Sequence, residues 1–338
     1  MKKLLFLLLS LLVLTGCTLP AQTPAEPMDG LTVHFLDVGQ ADCILLQCGD
    51  ENLLIDGGNV DDSDLVVSYL LDQGVSDLEL VVNTHAHEDH VGGLAAVLAV
   101  FETGEVWCPV TEYDSKCFDD FRYYADQQDL ALYCPDPGDV YAFGDAEITV
   151  LGPMRDDYDT NDTSIVLRVE YGDTAFLLSG DAETQAEKDI LDAGFEIDAT
   201  VIKAGHHGSS TSNSYRWLRE AHAQYAVIPV GTDNSYGHPH KEILSRFRDA
   251  GLTVYRTDLQ GHIVCHSDGT QVTFETGKNI AATKPAKTAE TYFIGNANSK
   301  KLHLPSCGSL PAENNRVEFS SYDDAIAQGY TPHSGCME

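Results

Sequence analysis

From residue 31 onward, short apolar runs alternate with amphipathic stretches. LTVHFLD, CILLQ and NLLID read as three short strands separated by the turn-forming GQAD and CGDE. In DSDLVVSYLLDQG the period changes, placing Leu65, Val66, Tyr69 and Leu70 at helical spacing. ELVVN follows as an apolar strand and GGLAAVLAVF as a helix, then EVWCPV, a helical KCFDDFRYYADQQ, and LALYC. A second half opens near Ala146 with strands EITVLG, SIVLRVEY and TAFLLSG and a helix over residues 183–191. Strand ATVIKAG, helix SYRWLREA, strand YAVIPVG and helix KEILSRFRDA come next, then strands TVYRT, GHIVCH and TQVTFET. Two halves of strands flanked by helices predict a layered α/β/β/α domain over residues 31–276.

The flanks read differently. Lys2 and Lys3 precede an apolar run over residues 4–14, too short to span a bilayer comfortably, so residues 1–16 read as an export signal. The run ends Leu14-Thr15-Gly16-Cys17, which resembles a bacterial lipobox and implies lipidation at Cys17. Pro20, Pro24 and Pro27 stiffen a polar tether over residues 17–30, so the domain is expected to be lipid-anchored at the outer face of the cytoplasmic membrane. Beyond Thr276 a Lys, Ala and Thr linker over residues 277–290 leads to a small module over residues 291–338.

With 53 Asp plus Glu against 20 Lys plus Arg, the chain carries a formal charge of −33, while 43% of its residues are apolar. A disordered polyanion is excluded by the apolar fraction, and a generally basic nucleic-acid binder by the charge. The imbalance is local: residues 1–202 hold 40 acids and 7 bases, and residues 203–338 hold 13 of each. Residues 203–256, with 7 bases and 4 acids, form a strip that could track a polyanion. Cys43, Cys48, Cys108, Cys117, Cys134 and Cys265 show no disulfide framework spacing; burial as small apolar side chains is their default, and their pairing stays open.

Candidate chemistry concentrates in VVNTHAHEDHVGG, where His85, His87, Asp89 and His90 leave an apolar strand. Turn geometry lets side chains one and two apart converge, so two imidazoles can hold one divalent cation while the carboxylate and third imidazole hold a second. These residues match in full the His-x-His-x-Asp-His signature of the metallo-β-lactamase superfamily, and the sequence resembles that family. The resemblance implies a four-layer αββα sandwich, two metal ions (Zn or Mn) sharing an activated water, and Asp181, at the end of TAFLLSG, as a carboxylate bridging both. It also implies that His206 or His207, ending VIKAG, completes the second metal's set. His206 is favoured, since adjacent histidines on an extended chain cannot both point inward; the other then contacts substrate or supporting groups.

Where many members offer a further histidine, this chain has Asn161, Asp162 and Ser164, an oxygen-rich substitution that tilts metal preference toward manganese or a mixed pair. With Lys203, His206, His207 and Tyr236-Gly237-His238-Pro239-His240, the pattern resembles the hydrolase domain of the ComEC competence proteins and their free-standing relatives. Ser164, Ser209, Ser210, Thr211, Tyr236, His238 and His240 are candidate substrate contacts suited to phosphate oxygens, with Lys203 or His240 stabilising the developing charge. Ser209 and Ser210 also fit a helix N-cap region, and His238 and His240 a turn set by Pro239.

The C-terminal module holds His303-x-x-x-Cys307 and His333-x-x-Cys336, a spacing that suits one structural zinc, with a Cys307 to Cys336 disulfide as the rival reading. It resembles the zinc-binding module of the Ada DNA-repair proteins, whose ligands are mostly cysteines. The expectation is a membrane-anchored, metal-dependent phosphodiesterase acting on DNA, single-stranded by preference. The alternatives are a hydrolase of small or cell-wall phosphodiesters, or a non-catalytic tethered factor for DNA binding or uptake.

Overall fold

The computed structural model describes residues 30–283, 293–305, 307–319 and 322–337. The export signal, Cys17, almost all of the tether and the linker from residue 284 lie outside them. Two sheets stack face to face. The first has eight strands in the order Val272–Thr276, Ile263–Ser267, Leu31–Phe35, Ile44–Cys48, Glu51–Ile55, Asp77–Val82, Glu102–Trp107 and Leu132–Tyr133. The second has seven, in the order Thr253–Arg256, Tyr225–Ile228, Val201–Lys203, Thr174–Leu178, Val166–Tyr171, Ala146–Gly152 and Val140–Phe143.

Alternation along each strand decides what it buries. Ile44, Leu46, Leu53, Ile55, Leu80 and Val82 of the first sheet meet Ile148, Val150, Leu167, Val169, Phe176 and Leu178 of the second in one central core. Their neighbours face outward: Leu45, Leu54 and Val81 pack under helices Ser63–Asp72, Leu94–Val100 and Lys116–Gln127. Leu177, Ile202, Ala226 and Ile228 pack under helices Thr184–Ala193, Tyr215–Ala221 and Lys241–Asp249. Both faces of both sheets are thus covered, which is why the strands read as continuous apolar runs. The result is the expected four-layer αββα sandwich.

Two features differ from the sequence reading. The strands Ile263–Ser267 and Val272–Thr276 do not extend the second sheet; Ile263–Ser267 pairs antiparallel with Leu31–Phe35, tying the end of the domain to its beginning. The strand Val140–Phe143, too short and mixed to be read from its pattern, forms an edge of the second sheet. At the opposite edge, Thr283 bridges Val254, so the start of the linker shields part of an edge strand.

The C-terminal module is a four-stranded sheet in the order Arg316–Phe319, Phe293–Asn296, Lys301–His303 and Thr331–Pro332, with the helix Tyr322–Ala327. Its core of Phe293, Leu302, Leu304, Phe319, Ala325, Tyr330 and Met337 incorporates Tyr215 from the sandwich. All eight described cysteines are free thiols; Cys43, Cys48, Cys108 and Cys265 are buried in the sandwich.

Candidate metal centre

One edge of the sandwich gathers the candidate residues. Asp42 precedes the strand Ile44–Cys48, Asp56 follows Glu51–Ile55, residues 84–90 follow Asp77–Val82, Asp181 follows Thr174–Leu178, and Lys203 ends its own strand. The histidine segment is not wholly a loop: Glu88–Val91 forms one helical turn, with His87 as its N-cap residue, so Asp89 and His90 project from a turn and His85 from the strand exit. The next helix begins where it crosses the Asp56 loop. A side chain at Gly93 would meet the Gly57 carbonyl oxygen at 2.1 Å, so only glycine fits this approach.

Asp89, His90, Asp181 and His207 each offer a ligand atom, and these four atoms lie within 4.8 Å of one another. His90 Nε2 is 3.4 Å from Asp181 Oδ2, and His207 Nε2 is 3.4 Å from Asp89 Oδ2 and 3.6 Å from Asp181 Oδ2. His90 Nε2, His207 Nε2 and Asp181 Oδ1 are buried with no hydrogen-bond partner. Buried polar atoms without partners are costly, and the two imidazole nitrogens, both facing Asp181 Oδ2, fit a divalent cation held by nitrogen and oxygen donors. His85 and His87 stand beside this group, with His85 Nε2 3.0 Å from His87 Nδ1.

Supporting contacts fix each ligand. Asp56 Oδ2 is 2.7 Å from His90 Nδ1 and accepts a hydrogen bond from Thr84 Oγ1 at 2.7 Å, while its Oδ1 accepts from the Thr84 amide at 2.7 Å. Holding the Nδ1 proton on Asp56 leaves His90 Nε2 as the free ligand nitrogen. His207 Nδ1 faces the Pro229 carbonyl at 3.1 Å, with the same consequence. The Asp181 amide donates to Ser164 Oγ at 3.0 Å.

The charges of the site act strongly on one another. Burial opposes protonation of His90, yet Asp181, Asp56 and Asp89 hold its pKa well above the usual imidazole range. His207 is raised to about 10, again against burial, chiefly by Asp181 and Asp42. Against burial, His207 and His90 hold the Asp181 carboxyl well below its usual range. Burial pushes His85 well below the imidazole range, with His90 adding to it, so its ring is neutral. Protons on His90 and His207 occupy the lone pairs a metal would take, so metal binding here releases protons.

Several expectations need correction. The chain at His206 and His207 is not extended: both residues are left-handed, with φ of 50°, inside the tight turn Gly205–Gly208. The two rings can therefore both reach Asp181 Oδ2, each through Nε2 at 3.6 Å, and it is His207 that joins the buried four-atom group. His206 is partly exposed, and its Nδ1 is 3.2 Å from Glu183 Oε1. Lys203 is not a loop-borne donor: it is buried between carboxylates, ion-paired with Asp42, 3.7 Å from Asp181 Oδ1, and donating to the Gly180 carbonyl. Ser164 is fully buried against Asp181 and His85 and does not face an open cleft.

The other candidates are placed around the rim. Asn161 donates to Glu183 Oε1 at 3.2 Å and leaves its own Oδ1 buried without a partner. Ser209 Oγ pairs with Thr211 Oγ1 at 2.9 Å, and the N-cap of Tyr215–Ala221 is Ser214 instead. His240 Nδ1 accepts from the Ser210 amide at 2.9 Å. His238 is depressed to about 4, mainly by burial and then by His206. Tyr236 is exposed.

Most arginines of the basic strip are spent internally. Arg216 pairs with Asp192, Arg248 with Asp249 and Arg256 with Asp258, while buried Arg246 donates to the carbonyls of Ser212 and Asn213. Asp42 and Asp56 were missed. Their signal was available, since Asp56 follows an apolar strand just as Asp181 does, but nothing local separates it from an ordinary turn.

In the C-terminal module, ligand atoms of His303, Cys307, His333 and Cys336 also lie within 4.8 Å of one another, with Cys307 Sγ 3.8 Å and Cys336 Sγ 3.6 Å from His333 Nδ1. Two thiols and two imidazoles converging from separate segments fit a tetrahedral zinc.

Sandwich, strand-end ligands and sequence agree, and the chain belongs to the metallo-beta-lactamase superfamily, whose family model matches residues 36–231. Residues 1–18 match the prokaryotic membrane lipoprotein lipid attachment site, and among the described residues no helix is long and apolar enough to cross a membrane. Among curated relatives, "Competence protein ComA" of Neisseria gonorrhoeae is 31% identical over 240 residues, covering 70% of this chain and 32% of that protein. "ComE operon protein 3" of Bacillus subtilis is 27% identical over 250 residues, covering 68% and 32%. The chain thus spans about a third of the length of these relatives. Of solved structures, the metallo-beta-lactamase fold protein YhfI from Bacillus subtilis is similar at a TM-score of 0.49 and 16% identity, covering 73% of this chain and all of that one.

Proposed function

We propose that this protein is a lipid-anchored, metal-dependent phosphodiesterase at the outer face of the cytoplasmic membrane, acting on DNA with single strands preferred. The observation that carries the reading is the buried group of Asp89, His90, Asp181 and His207, in which His90 Nε2 and His207 Nε2 have no hydrogen-bond partner. These four residues would hold one divalent ion, and His85 and His87 with Asp181 a second. Zinc or manganese bound there supplies a Lewis acid that polarises a phosphoryl oxygen and activates a water.

The chain's own residues do the rest. Asp56 keeps His90 in the tautomer that presents Nε2. Lys203 offsets the charge of Asp42 and Asp181 beneath the site, so both carboxylates stay ionised. His240, whose Nδ1 accepts from the Ser210 amide, carries its proton on Nε2, from which it can donate a hydrogen bond to the charge developing on a leaving oxygen. The similarity to a protein named for competence supports DNA as substrate.

A second reading, small or cell-wall phosphodiesters, is favoured by the internal pairing of the basic strip, which leaves little positive surface for a long polyanion. The full chain, purified in detergent and supplied with manganese or zinc, should cleave labelled single-stranded DNA faster than duplex or a small diester. Asp89→Ala and Asp181→Ala should abolish cleavage. Turnover untouched by both substitutions would overturn the hydrolase reading, and DNA binding without turnover would point to a tethered binding factor.

A further inference from the structure

Among the described residues Tyr236 is the most exposed of the large apolar and aromatic side chains, at 68%, yet the loop beneath it is tightly built. Asn234 Nδ2 donates to the carbonyls of Gly231 and His238 at 2.9 and 2.7 Å, and Asn234 Oδ1 accepts from the His238 amide at 3.0 Å. Gln40, from the other half of the sandwich, accepts from the Gly231 amide at 3.1 Å and reaches His238 Nδ1 at 3.4 Å. Such a cross-linked loop does not expose a ring for want of a place to bury it.

The ring also has a direction. Tyr236 stacks on His238, with centroids 5.6 Å apart and planes 25° from parallel. His238 in turn meets His240 edge-on at 4.7 Å and His206 at 5.5 Å, and His206 Nε2 lies 3.6 Å from Asp181 Oδ2. A continuous series of rings therefore runs from solvent to the carboxylate at the metal centre. One face of Tyr236 is covered by His238 and the ring as a whole remains open to solvent.

We propose that Tyr236 is a stacking platform for a nucleobase of a single-stranded substrate, and that it, not a basic groove, selects base-bearing chains. This deepens the phosphodiesterase reading and rests on it for the identity of the substrate. Ring stacking is tolerant of base identity and needs no surface charge, which suits a chain whose arginines near the site are committed to internal pairs. Stacking on one aromatic ring is worth about tenfold in affinity.

The test compares two end-labelled phosphorothioate oligomers of equal length, one of thymidines and one abasic, bound to the full manganese-loaded chain and read by fluorescence anisotropy. Wild type should bind the base-bearing oligomer about tenfold more tightly. Tyr236→Ala should lose that preference, while Tyr236→Phe and Tyr236→Trp keep it. Equal affinity of wild type for both oligomers, no binding of either, or a preference that survives Tyr236→Ala would overturn the proposal. Base-dependent binding without hydrolysis of ordinary single-stranded DNA would sink the hydrolase reading and leave this one standing.

Discussion

Asp56 reaches the four-residue group only through His90 Nδ1, yet replacing it by asparagine should cripple metal binding. In the wild type its Oδ2 accepts a hydrogen bond from His90 Nδ1 at 2.7 Å, which leaves Nε2, facing Asp181, as the nitrogen a metal would take. Asparagine retains one oxygen, which the Thr84 amide claims at 2.7 Å, and turns its NH2 toward His90 and Thr84 Oγ1. An NH2 donating to Nδ1 drives the ring proton to Nε2, where it blocks the lone pair a metal needs. The lost charge-assisted hydrogen bond is worth about 1.5–3 kcal/mol. At 1.4 kcal/mol per factor of ten, that is about a 10- to 100-fold loss of affinity, the range usual for groups that orient metal-bound histidines. Competition of manganese or zinc against a chromophoric chelator measures it directly, with thermal unfolding as the control for folding. Affinity within twofold of wild type in a folded Asp56→Asn protein would refute the tautomer argument.

Lys203→Met should destabilise the sandwich by about 3–5 kcal/mol, because it leaves Asp42 charged and buried without its partner, and adding Asp42→Leu should recover much of the loss; urea unfolding reads both. An unchanged midpoint in the single variant would mean the ion pair contributes nothing. Cys307→Ala should remove one tightly bound zinc per chain by elemental analysis while the metals of the sandwich remain, and equal zinc content in variant and wild type would refute the four-residue site. Tyr215→Ala, which removes the sandwich's contribution to the core of the C-terminal module, should release that module to proteolysis well before the sandwich; simultaneous digestion of both would contradict the packing.

The layers were legible because strands covered on both faces must be apolar at every position, and the amphipathic helices between them announce their own period. The histidine segment and Asp181 were legible for a related reason, since polar ligands directly after an apolar strand have one place to go. What escaped depends on contacts between residues far apart in sequence. Lys203 at a strand end resembles a solvent-facing donor, and only the fold reveals Asp42 beside it, 161 positions away. Asp56 looks like turn chemistry until His90 is seen 34 residues later at 2.7 Å. His206 and His207 were misjudged because the argument assumed an extended backbone, whereas both adopt a left-handed turn that points neighbouring rings the same way. The arginines of residues 203–256 counted as a basic strip in sequence, but Asp192 and Asp258, the partners of Arg216 and Arg256, lie outside that window.

If Asp89, His90, Asp181 and His207 form a metal centre that hydrolyses phosphodiesters, activity must follow metal occupancy, which is read by stripping the full chain with a chelator and following cleavage of labelled single-stranded DNA as manganese is titrated back. Wild type should be inactive when stripped and recover with added metal, while folded His207→Ala should stay more than about a hundredfold slower at every concentration, as expected when a ligand itself is removed. Cleavage that persists in chelator, or a His207→Ala titration that overlays that of wild type, would contradict the account.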